Sequence, residues 1–160
     1  MAVYREIDVI MVDMDGVTLP FPKEKYEAEA KKLIESFGYK VLGFSYRLSN
    51  SKGIHITVYI TPKAEWWEKP FFAYLLGSDP VRECLNYFRL SKGVDINVLF
   101  TTKRRIGNSD ADTVLIKGKE GFGNEWFKCL KKWHICRGLK RLVEMAEKNG
   151  IYRLDVDRLL

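Results

Sequence analysis

The sequence predicts an α+β fold built on a small antiparallel sheet, and three observations carry that expectation. Residues 41–48 and 54–61 alternate apolar and polar side chains, and only Ser49, Asn50, Ser51, Lys52 and Gly53 separate them. That is turn chemistry between two strands, so the pair reads as a hairpin. An apolar strand over residues 4–14 precedes the hairpin, and helical patterns fall at 23–37 and 81–90. With a further strand at 94–102, the order is strand, helix, strand, strand, helix, strand. This is the split βαβ or ferredoxin-like plan, a four-stranded antiparallel sheet with two helices on one face.

Each element has a local reason. The first strand ends at Asp13, Met14 and Asp15, and Pro20 and Pro22 interrupt the chain soon after. From Lys23 to Phe37, Tyr26, Ala30, Leu33, Ile34 and Phe37 recur at helical spacing, and Gly38 stands where a C-terminal glycine belongs. Residues 62–70 read as a loop carrying Trp66 and Trp67. The second helix starts after a cap at Ser78 or Asp79, with Pro80 as its first residue. Residues 107–123 are rich in glycine and charge and read as a hairpin or loop. Residues 124–149 form the longest helical pattern, a basic C-terminal helix ended by Gly150. The expected organisation is a core over residues 1–105, with 106–160 packed on it as part of a single domain.

A chain of 160 residues can bury one core, and its apolar runs are too short for a membrane span. Nor do the first residues resemble a signal peptide, so the expected location is cytoplasmic. Cys84, Cys129 and Cys136 are odd in number and lack metal-ligand spacing, which fits reduced structural thiols. The net charge of +6 favours an anionic partner. Lys103, Arg104 and Arg105 form one basic cluster. Lys131 and Lys132 belong to a second, interleaved with Trp126, Phe127 and Trp133, a composition suited to phosphates and stacked bases. The bland alternatives are a solvated strand end and a solvated helix face.

Chemistry concentrates at two places. Asp13 and Asp15, one residue apart at a strand end, would point to the same side and could reach Mg²⁺ or Mn²⁺ together. Ser51, Lys52 and Gly53, with His55 on the adjoining strand, could supply donors for a phosphate beside that metal.

These motifs resemble those of the archaeo-eukaryotic primase superfamily, whose catalytic core is an RRM-like sheet. Asp13 and Asp15 match its Asp-x-Asp motif, while Ser51, Gly53 and His55 match its Ser-x-x-Gly-x-His type motif. Asn86, Arg89 and Leu90 stand where the family has an Asp followed by Arg-Leu, and Lys103 resembles its downstream basic residue. The likeness spans residues 7–105. It implies metals on Asp13 and Asp15, with Asn86 in the third ligand position. His55, Ser51, Lys52 and Gly53 would hold the phosphates of a nucleoside triphosphate, and Arg89 and Lys103 would add phosphate or template contacts. Nucleic acid and a partner subunit of a replication complex are the implied partners. Asn86 departs from the pattern, since an amide offers a metal an oxygen but no charge, and it puts efficient nucleotidyl transfer in doubt.

Two other readings stay open. Asp13 to Leu19 also looks like the first motif of haloacid-dehalogenase-like phosphatases, with Asp13 as nucleophile, Asp15 as general acid, Asp110 and Asp112 as later acids and Lys103 or Lys117 as the lysine. That fold needs a parallel sheet. The third reading is a non-catalytic RRM-like nucleic-acid binder whose open face carries Tyr46, His55, Tyr59 and Phe100. Single residues also have plain structural roles: Asp13 or Asp15 could cap the turn at Gly16, and Arg89 could pair with Glu83 or Asp79 on the helix surface. Cys129, His134 and Cys136 fit core packing better than a metal site, because His134 does not share the face of the two cysteines.

Overall fold

The computed structural model describes residues 6–15, 21–48, 53–93 and 135–159. Among these residues three strands, β1 (Asp8–Met14), β2 (Lys40–Leu48) and β3 (Ile54–Thr61), form an antiparallel sheet in the order β1-β3-β2. Alternation on β3 sets the layers: Ile54, Ile56, Val58 and Ile60 are buried, while His55, Thr57, Tyr59 and Thr61 face the other way. A one-residue slip would exchange those two faces, and burying each of the four apolar side chains is worth about 1.5–3 kcal/mol, so the register is strongly specified. Leu42 is an extra residue in β2, between Val41 opposite Ile60 and Gly43 opposite Tyr59. Tyr46 sits opposite Ile56 on the packed face and donates its hydroxyl to Glu27, so it does not belong to the open face where the sequence reading placed it.

The first helix, α1 (Lys23–Glu35), buries Tyr26, Ala30, Leu33 and Ile34, and Gly38 ends it with φ of 91°. Tyr26 donates its hydroxyl to the Leu76 carbonyl at 2.7 Å from full burial, which pushes its pKa far up and keeps the phenol neutral. The expected loop at 62–70 runs instead into α2 (Glu68–Leu75), a helix with seven buried residues that packs against β1. Pro70 falls in its first turn, where a missing N–H costs nothing. Next, α3 (Pro80–Ser91) begins as expected, with the Asp79 carboxylate accepting the Val81 N–H at 3.1 Å.

The C-terminal part departs from a single long helix. Residues 135–136 are a turn and Cys136 has φ −125° and ψ 28°, so the helix in the described residues is α4 (Arg137–Lys148), followed by a short α5 (Val156–Leu159). That turn brings Cys136 against α3, where it forms a disulfide with Cys84 across Cα atoms 5.2 Å apart. The expectation of reduced thiols is corrected at this pair. At Gly138 the Tyr87 hydroxyl occupies the space a Cβ would need, which explains a glycine inside α4. Leu139, Val143 and Ala146 then join the same hydrophobic cluster as the sheet, α1 and α2. The expected fourth strand at 94–102, the hairpin or loop at 107–123 and the start of the basic helix at 124–134 lie outside the described residues.

The pairing has a direct chemical readout. In denaturant without reductant, Cys129 is expected to be the single thiol that reacts with a thiol reagent, and all three should react after reduction. Closing a loop of 52 residues, the disulfide should stabilise the fold by about 2–4 kcal/mol, read as a fall in the unfolding midpoint on reduction. Three reactive thiols before reduction would contradict the bond.

Candidate functional site

On the face of the sheet opposite the core, cross-strand register assembles a polar row. Asp13 on β1 sits opposite His55 on β3, and His55 sits opposite Arg47 on β2. The next row joins Met11, Thr57 and Ser45. Helix α3 overhangs this face with Arg82 and Asn86, four residues apart and therefore on one side of the helix. Together these elements enclose a pocket of about 240 Å³ lined by Asp13, Arg47, His55, Thr57, Arg82 and Asn86 among others.

The position of α3 is set by backbone bonds to Asp13. Its N–H donates to the Ser78 hydroxyl at 3.1 Å, and its carbonyl accepts the Asp79 N–H at 2.9 Å. Its side chain, with the residue only 8% exposed, pairs through Oδ2 with the Arg82 guanidinium. The other oxygen, Oδ1, lies 3.5 Å from His55 Nε2 and is buried without a hydrogen-bond partner. A buried carboxylate oxygen left in that state is costly, on the order of 1–3 kcal/mol or more. Such an atom needs a partner, which a water, an ion or a ligand can supply.

Behind the pocket wall lies Glu83, which is fully buried and not on the helix surface where a pairing with Arg89 was considered. The Ser78 hydroxyl donates to its Oε2, and the Asn86 amide donates to its Oε1 at 3.1 Å. Burial pushes its pKa up to about 7, against the lowering effect of those hydrogen bonds and of the Arg82 charge. Asn86 thus lines the pocket with its amide nitrogen committed to Glu83.

The structure brings together Asp13, His55 and Asn86 from three separate segments. Asp15 lies in a bend just after β1 and is half-buried, and Gly53 is buried immediately before β3. Arg89 lies on the same side of α3, two turns from Arg82, and does not line the pocket. Ser51, Lys52, Lys103, Arg104, Arg105, Lys131 and Lys132 lie outside the described residues, as do Phe100, Lys117, Asp110, Asp112, Cys129 and His134. Among the described residues no group of three or more His, Cys, Asp or Glu side chains is placed to hold a metal.

Sequence reasoning missed Arg47, Arg82, Ser45, Thr57 and Glu83. Two signals were available: the hairpin register puts Arg47 beside His55, and Arg82 precedes Asn86 by one helical repeat. Among the described residues the site therefore joins one carboxylate, paired with the Arg82 guanidinium and 3.5 Å from the His55 imidazole, with Arg47, Ser45 and Thr57 in the same lining. Such a set can bind an anion by charge-assisted hydrogen bonds, with Arg offering a fork matched to phosphate oxygens. Comparison of the chain with protein-family models, curated proteins and solved structures finds no match.

Glu83 makes stability depend on pH in a definite direction. Its pKa in the fold, about 7, lies above its ordinary 4.5, so folding favours the protonated form. The stability this group contributes is complete below pH 4.5, declines as pH rises towards 7 and is level above that. Glu83→Gln mimics the protonated form and should remove the decline. In unfolding titrations the variant should gain on the wild type by an amount on the order of 2–3 kcal/mol between those pH limits. Parallel curves for the two proteins would show that Glu83 ionises without penalty.

Proposed function

We propose that this chain is a nucleic-acid-associated nucleotide-binding protein, with its site laid out on the plan of the primase superfamily. The observation that carries the reading is convergence. Asp13, His55 and Asn86 come from the three segments that bear the resemblance, and all line one pocket. The strand order β1-β3-β2, antiparallel throughout, is also compatible with three positions of an RRM-like sheet, and residues 94–102 would add the fourth beside β1. An antiparallel sheet speaks against the phosphatase reading, which needs parallel strands.

In this reading Arg47, Arg82 and His55 hold the phosphates of a nucleoside triphosphate, and Thr57 and Ser45 add hydrogen bonds. A space of about 240 Å³ falls below the 300–1,000 Å³ usual for a whole ligand. The phosphates therefore take the pocket, and the base extends over the adjoining sheet surface. The Asp13 Oδ1 atom, buried and without a hydrogen-bond partner, fits a role as ligand to Mg²⁺ or Mn²⁺, and Asp15 and the Asn86 carbonyl oxygen would complete the donors. When bound, the ion would neutralise phosphate charge and polarise a phosphoryl oxygen. Lys103, Arg104, Arg105, Lys131 and Lys132 would serve nucleic acid, in keeping with the net charge of +6.

One observation favours a second reading, the non-catalytic nucleic-acid binder. Arg82 already neutralises Asp13, so that acid no longer opposes a phosphate at the pocket. Metal dependence separates the two. A labelled nucleoside triphosphate titrated into the wild type should bind more tightly with Mn²⁺ than without, and Asp13→Asn should lose that increment while keeping its fold. Arg47→Ala should weaken binding by about tenfold with or without metal, the loss of one charge-assisted contact. Equal binding with and without Mn²⁺ would favour the second reading, and no binding by the wild type would end the nucleotide assignment.

A further inference from the structure

We infer that Arg82 is a latch on Asp13, released by the phosphates of a metal–polyphosphate ligand, so that the pocket accepts anion and divalent cation together and takes the cation poorly alone. This deepens the nucleotide reading and rests on it for the ligand's identity. The juxtaposition behind it is specific: Asp13 gives one oxygen to Arg82 and holds the other buried and unbonded in the pocket wall.

Consider the pocket before any ligand arrives. Among the described residues, Arg47 and Arg82 line it with the single carboxylate of Asp13, so their formal charge is positive even with His55 neutral. A bare divalent ion approaching Asp13 meets Arg82 on the same carboxylate, and like charges at such distances repel strongly where burial weakens solvent screening. A polyphosphate meets the opposite field. Arg82 can exchange its carboxylate for phosphate oxygens without losing bond type, because its planar fork suits either acceptor. Its place on α3, one turn from Asn86 and across the pocket from the sheet, keeps that exchange within reach of a ligand in the same space.

Release of Arg82 leaves Asp13 with a full negative charge and both oxygens available. The unbonded Oδ1 then becomes the natural contact for the cation that accompanies the phosphates. By linkage, whatever the anion does for cation affinity the cation does for anion affinity. The latch also protects the fold when no ligand is present, since Asp13 without Arg82 would be a buried charge with only His55, 3.5 Å away, beside it.

The experiment measures binding of Mn²⁺ alone to the full chain, by electron paramagnetic resonance, for the wild type, Arg82→Gln and the double variant Arg82→Gln with Asp13→Asn. Arg82→Gln should bind Mn²⁺ at least about tenfold more tightly than the wild type, and the double variant should lose that gain. Thermal melts of each protein establish folding. Should Arg82→Gln fail to fold, Arg82→Met carries the comparison, because it removes the charge while an unbranched apolar stem keeps the packing. Unchanged Mn²⁺ affinity in a folded Arg82 variant overturns the latch, as does a gain that survives Asp13→Asn. A separate titration with nucleoside triphosphate, with and without Mn²⁺, tests the nucleotide reading. Binding in neither condition would remove that reading and leave the Mn²⁺ comparison to decide the latch.

Discussion

Everything at the site hangs on two hydrogen bonds at the outer edge of β1, where the backbone of Asp13 is clasped by Ser78 and Asp79. Asp13 faces β3 as the partner of His55 on one side, and its N–H and C=O point outward on the other. An outward edge in a buried setting must find partners, and here it finds the turn that launches α3. The start of α3 is therefore fixed relative to the sheet at the residue whose side chain lies in the pocket. Arg82 then falls within reach of Asp13, Asn86 reaches the pocket one turn later, and Cys84 faces inward to meet Cys136.

The same turn is held from behind. Arg153, between α4 and α5, donates to the carbonyls of Tyr74, Gly77 and Ser78 at 2.6–3.1 Å, and its guanidinium lies 4.7 Å from the Tyr74 ring centroid. Burying a guanidinium is expensive unless its donors are used, and here three carbonyls and an aromatic face use them. The Leu154 N–H adds a bond to the Leu75 carbonyl at 2.7 Å. A segment near residue 153 thus governs the position of one near residue 78, which in turn governs Asp13. Among the described residues, a disulfide ties the C-terminal part to α3, and a buried cation ties it to the turn that leads into α3.

How much of this was legible in the sequence follows from which signals are local. Alternation in 41–48 and 54–61 and the intervening turn residues marked the hairpin, because a half-buried strand writes its two faces into period two. Asp79 followed by Pro80 marked the start of α3, since cap and fixed φ are decided within two residues. Helix α2 was not legible for the opposite reason: Pro70, Phe71, Phe72, Ala73, Tyr74 and Leu75 are buried on every side, so no polar face gives it a period. The disulfide depends on a turn at 135–136 and a separation of 52 residues, neither of which spacing encodes. At the site, Asp13 and His55 were singled out from strand and turn patterns. Arg82 was passed over because a lone arginine on a helix carries no pattern until the sheet beneath it is placed.

Asn86 also has a structural reason. Its amide donates to Glu83, a carboxyl fully buried and held near pKa 7 by that burial. An aspartate in its place would set two carboxyl groups about 3 Å apart, a separation at which like charges cannot both ionise (compare the 3.1 Å bond present). The pair would share a proton, and the added carboxylate would bring less negative charge to the pocket than its formula suggests. A neutral amide at 86 satisfies Glu83 and still presents an oxygen-bearing group at the pocket wall. Glu83 is in turn bonded to the Ser78 hydroxyl, which accepts the Asp13 N–H, so the residue beneath the pocket and the clasp on β1 form one network. The amide at this position is therefore coupled to the packing of α3 and cannot become a carboxylate without disturbing the bonds that hold Asp13 in place.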